Sequence, residues 1–127
     1  MANDGEPAIG DPLERLRSFC AMLPETTEVD VFANPTFRVG ARGFATFEEL
    51  ATGPVVTVKI TPEMQSLLVE RDGFDAEADT GHFGWTHVRV DGSIDWDEID
   101  ELVIGSYRLV APPEYVAQLD ELLASGG

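Results

Sequence analysis

Lys59, Trp85, His87 and Arg89 can share one surface, and their types suit contact with a phosphate or a flat ring. Side chains alternate across a β-strand. In the run 54–60, Val56, Val58 and Ile60 fall on one side, and Val55, Thr57 and Lys59 on the other. In 85–90, Thr86, Val88 and Val90 fall on one side, and Trp85, His87 and Arg89 on the other. The aliphatic sets fit a helix-covered core, so the remaining sets face away from it. Arg38 and Arg42 can join them. Cations beside aromatics on a sheet offer phosphate contact and stacking. The plainer reading is a solubilising face, with Trp85 a partly buried structural ring and His87 a bystander.

Catalytic templates fit worse. His82 and His87 are five apart, the wrong interval for one helical face and the wrong parity for one strand face. A lone cysteine, Cys20, allows no intramolecular disulfide and no zinc site of the usual ligand count. Cys20 falls on an apolar helical stripe, where a thiol packs as a small hydrophobe. Asp79-Thr80-Gly81 matches the tripeptide of aspartic proteases, but without a second copy. Phosphate-loop, nucleophile-elbow and Gly-x-Gly-x-x-Gly patterns do not occur. Asp95, Asp97, Glu98, Asp100 and Glu101 crowd one helix; they read as a solvated face, with weak divalent-cation binding the lesser reading. The expectation is a protein that is not an enzyme and that uses no cofactor or resident metal.

The elements that would position these residues are legible. Residues 1–10 read as a disordered polar lead, and 11–124 as one α+β domain. Asp11-Pro12 starts a helix, with Leu13, Leu16, Cys20 and Leu23 inward and Pro24 as its stop. Strands are expected at 28–33, 36–40, 42–48, 54–60 and 85–90, with turns at Asn34-Pro35 and Gly40–Arg42. Thr61-Pro62-Glu63 opens a second helix with Met64, Leu67 and Leu68 inward. Residues 72–84 read as an acidic loop with at most a short strand. Asp95 caps a third helix, with Glu98 returning the bond and Ile94 stapled to Ile99. Pro112-Pro113 begins a last helix carrying Val116, Leu119, Leu122 and Leu123. Hairpins with helices between them imply an antiparallel sheet covered on one face.

The net charge of −16 at pH 7 opposes long-range attraction to nucleic acid and anionic membranes. It is uneven: residues 31–62 hold Arg38, Arg42 and Lys59 against only Glu48 and Glu49. An apolar fraction of 43% suits a folded domain, and no apolar run is long enough to span a membrane. The start lacks a signal-peptide pattern, so a cytoplasmic monomer without membrane contact is expected.

Several short segments, in order, resemble the MmcQ/YjbR family of small bacterial domains. They are Arg17–Pro24, Asn34-Pro35-x-Phe37-Arg38-Val39, Arg42-x-Phe44-Ala45, Val58-Lys59-Ile60 before Thr61-Pro62-Glu63, Gly84-Trp85, Asp95–Glu98 and Ser106–Val110. The resemblance implies a CyaY-like α+β fold, an antiparallel sheet with helices packed on one face and the other relatively open. It also implies similarity to a double-wing DNA-binding domain. The function so implied is a non-catalytic module contacting DNA, weakly and with salt sensitivity, through Arg38, Arg42, Lys59, Trp85, His87 and Arg89. The alternative is a site on the same face for a planar aromatic small molecule or a protein partner. Eight Lys and Arg in total leave few cations for phosphates.

Overall fold

The computed structural model describes residues 11–126. The lead expected over 1–10 lies outside the described residues. Asp11 accepts hydrogen bonds from the backbone N–H of Leu13 and Glu14, and Pro12 opens helix α1, Pro12–Cys20. Strands β1 (Thr26–Val31), β2 (Asn34–Val39), β3 (Arg42–Leu50) and β4 (Gly53–Lys59) follow as a meander. Helix α2 (Pro62–Leu68), short strand β5 (Phe74–Ala76), a 3₁₀ turn at Gly81–Phe83 and strand β6 (Trp85–Arg89) come next. Helices α3 (Trp96–Val110) and α4 (Pro113–Gly126) complete the described chain. All pairings are antiparallel in one six-stranded sheet of order β1-β2-β3-β4-β6-β5. None of the helices is long and apolar enough to cross a membrane among the described residues.

The strand alternation read from the sequence is the one the chain adopts. Val56, Val58 and Ile60 are buried, as are Thr86, Val88 and Val90, and register pairs Val56 with Val88 and Val58 with Thr86. The aliphatic ones among them join Leu16, Cys20 and Leu23, Ile99 and Val103 of α3, and Leu119 of α4 in one cluster. Tyr107 packs its ring edge-on against Phe44, 5.3 Å between centroids, and donates its hydroxyl to the Pro24 carbonyl at 2.6 Å. Such an aromatic pair adds about 1 kcal/mol beyond its burial. Burial pushes the Cys20 thiol far up, which keeps it an inert core group.

Four local expectations are corrected. The first turn is Phe32-Ala33, not Asn34-Pro35: Val31 pairs with Asn34 across a two-residue loop. Pro35 is tolerated inside β2 because β3 begins pairing only at Thr36, so no ladder bond needs a Pro35 N–H. Secondly, Met64 and Leu67 of α2 are exposed and only Leu68 is buried. The sheet-facing residue of α2 is Gln65, whose amide donates to the Gly81 carbonyl and the Thr86 hydroxyl. The third concerns Glu98, which does not return the Asp95 cap because both its carboxylate oxygens are taken by Arg71. Finally, Leu122 and Leu123 of α4 are exposed, while Leu119 is buried in the core and Tyr115 packs against it.

Candidate functional site: a pocket on the uncovered sheet face

The face opposite the helices is built in rows that register fixes. One row runs Thr36, Thr46, Thr57, His87, Asp75 across five strands. The next pairs Arg38 with Gly43 and Lys59 with Trp85. Another runs Glu48, Val55, Arg89. A depression lies between Arg38 and Trp85, with Gly43 and Thr36 among its lining. The resulting pocket is about 480 Å³, with Thr46 and Thr57 among its lining and Glu48, Glu77 and Thr80 contributing acids and a hydroxyl. The face is therefore concave; Thr36, Val55 and Thr57 at its centre are buried.

Of the residues singled out in the sequence, Arg38 and Trp85 line this pocket. Lys59 is the cross-strand partner of Trp85 but is not in this pocket's lining; it borders a separate groove of about 450 Å³ with Met64 and Leu68 of α2 and Leu102 and Leu109 of α3. His87 is the cross-strand neighbour of Thr57, hydrogen-bonded to it. Arg89 sits at the far end of β6 from Trp85, with Asp72 and Asp91 at 3.6 and 3.9 Å. Arg42 is not brought to this face. Register steps from Phe37↔Ala45 to Arg38↔Gly43, leaving Phe44 as an extra residue. That bulge reverses the alternation beyond it, so Arg42 pairs with the core residue Val39. The helical acids considered for a cation are drawn apart: Asp100 pairs with Arg15 and Glu98 with Arg71. Among the described residues no three His, Cys, Asp or Glu side chains converge as metal ligands.

Hydrogen bonding orders the pocket. Thr57 Oγ1 lies 3.1 Å from Glu48 Oε2 and 2.7 Å from His87 Nδ1. A carboxylate only accepts, so Thr57 donates to Glu48 and accepts from His87 Nδ1–H. Thr36 donates to the Asn34 carbonyl at 3.1 Å. Glu77 Oε1 takes the Thr80 hydroxyl at 2.8 Å and the backbone N–H of Thr80 and Asp79. The Thr80 backbone and hydroxyl bonds, then the Asp79 N–H, hold the Glu77 carboxyl below its usual range.

Sequence reasoning missed Thr36, Thr46, Glu48, Glu77 and Thr80. Thr46 and Glu48 had a signal, since they alternate with the core residues Ala45 and Phe47. Nothing in the sequence aligned the strands to bring Glu77 beside them.

The family model named YjbR matches residues 21–109, which span the sheet and most of α3. The chain belongs to the YjbR family. A solved YjbR-like neighbour is the Deinococcus radiodurans protein DR2400, described by its domain DUF419. It superposes with a TM-score of 0.71 at 24% identity over 88% of this chain and 87% of that one. At that identity the likeness speaks for the fold. No curated protein matches this YjbR chain.

Proposed function

We propose that this YjbR domain is a non-catalytic module that holds a small planar ligand against Trp85 in the uncovered-face pocket. The observation that carries the reading is the pocket itself. Its volume of about 480 Å³ falls within the range of small-molecule sites, and an aromatic wall faces convergent polar groups. The second reading, weak DNA contact, draws on Arg38, Lys59, Trp85 and Arg89 on one face. Against it weigh Asp72 and Asp91 beside Arg89, Glu48 and Glu77 within the pocket, and the net charge of −16.

The test uses a Trp96→Phe variant, in which Trp85 is the sole indole reporter. Saturable quenching by single-ring planar fragments is expected, and the matching amide shifts of pocket residues in NMR spectra should be lost in a Trp85→Leu variant. Labelled duplex DNA at about 20 mM salt is expected to give no Lys59-dependent anisotropy change. Duplex binding that requires Lys59, together with no fragment quenching, would replace the ligand reading with the DNA one.

A further inference from the structure

The protons of the pocket are spent inward. Thr57 gives its hydroxyl proton to Glu48, Thr80 to Glu77, and Thr36 to a backbone carbonyl. Thr46 reaches Thr36 Oγ1 only at a long 3.4 Å, and since Thr36 has already donated, Thr46 is the donor there. What these four threonines present to the cavity is chiefly lone pairs. Glu48 Oε1 and Glu77 Oε2 add carboxylate oxygens without a hydrogen-bond partner among the described residues. The counter-charge in the lining is Arg38, one of whose nitrogens is already directed to the Ala41 carbonyl at 3.3 Å. The lining thus holds two carboxylates against one cation, beside an indole.

Resting on the ligand-binding reading above, we infer that the ligand is a planar cation bearing N–H donors, an amidinium, guanidinium or protonated aminoheterocycle. Three features converge on that chemistry. When a ligand displaces water from a surface of lone pairs and carboxylates, only donors on that ligand replace the lost bonds, and an ionised N–H donor makes the stronger ones. The indole of Trp85 supplies the best aromatic face for a cation. The strongly acidic body steers cations inward and keeps anions away. A phosphate or carboxylate placed here would meet Glu48 and Glu77 with few donors to offset them.

The experiment compares benzamidine, benzamide and benzoate, three rings of similar size and shape that differ in charge. Each is titrated against the Trp96→Phe protein by Trp85 fluorescence and by amide chemical shifts of the pocket residues. Benzamidine is expected to bind at least about tenfold more tightly than benzamide, with benzoate weakest. Glu48→Gln and Glu77→Gln variants, each confirmed as folded by their amide spectra, should each lose most of that preference. N-acetylargininamide, run alongside, separates two sources of the same chemistry: tighter binding than benzamidine points to an arginine side chain of a partner, weaker binding to a free aromatic ligand. Equal or preferred binding of benzamide or benzoate would overturn the cation inference and leave the pocket reading intact. Failure of all the probes to shift any pocket residue would overturn both.

Discussion

Gly84 runs so close to Ile60 that a Cβ at position 84 would stand 2.2 Å from the Ile60 carbonyl oxygen. Its φ of +100° is also one that side chains resist. The approach lets the Gly84 carbonyl accept the Ile60 N–H at 2.9 Å, extending the β4–β6 ladder by one bond just before Trp85. Gly84→Ala meets both obstacles and is expected to cost about 3 kcal/mol or more, since the neighbour is backbone and cannot swing aside. Urea unfolding measures it. A loss under about 1 kcal/mol would mean the two segments can part freely, and the wall of the pocket would then be a soft one.

The alternation of β4 and β6 was legible because each strand carries its own evidence: Val56 and Val58 against Thr57 and Lys59 decide the faces without any partner. The face of Arg42 depends on the extra residue Phe44; Gly43 beside it is the one mark of a bulge in the run, and a lone glycine does not say which neighbour is doubled. Phe32-Ala33 was passed over for a different reason. Asn34-Pro35 has turn chemistry and the true turn has none. The pocket hydroxyls depend on cross-strand register, which hydrophobic alternation in single strands does not supply. Helix α2 misled because Met64 and Leu67 look like a core stripe, while Leu68 is the residue buried and Gln65 reaches the sheet through its amide.

Ser106 occupies the gap that the Phe44 bulge opens. Its hydroxyl accepts the Lys59 N–H at 2.9 Å and donates to the Phe44 carbonyl at 2.6 Å, so one side chain from α3 replaces a missing link between β3 and β4. The residue is fully buried. Ser106→Ala strands a backbone donor and a backbone acceptor together, and about 2–3 kcal/mol of stability should go. Amide exchange at Lys59 should quicken more than global unfolding accounts for. Unchanged exchange there would mean water has taken the hydroxyl's place.

The β1–β2 hairpin turns on two residues with positive φ, Phe32 at 52° and Ala33 at 69°. Phe32 is also 96% exposed, so no packing repays its strain. A mirror-image turn of this kind is the natural place for Asn-Gly. The double variant Phe32→Asn, Ala33→Gly is therefore expected to stabilise the protein by about 1–2 kcal/mol in chemical denaturation. Val31, next to the turn, lines the pocket. If the variant instead loses ligand binding without losing stability, the exposed phenyl ring belongs to the binding surface.

Acidification should weaken the fold, with a sign set by the carboxylates. Glu28 is held below its usual range chiefly by its hydrogen bonds from Arg17, Glu98 by those from Arg71, Glu77 by those from Thr80, and Asp91 by those from Ser93. A carboxyl whose folded value is depressed adds stability above its unfolded value of about 4, and that contribution is lost as pH falls through the folded value. Asp100 acts in the other direction: burial raises it despite Arg15, so it opposes folding as pH rises past the unfolded value. Four lowered groups outweigh one raised one, so the urea midpoint should fall as pH drops from about 5 to about 3. Glu77→Gln should flatten part of this slope, because its three N–H and O–H partners then face a group that cannot gain a proton. A midpoint that rises on acidification would mean that relief of repulsion among the acids, at a net charge of −16, exceeds these local bonds.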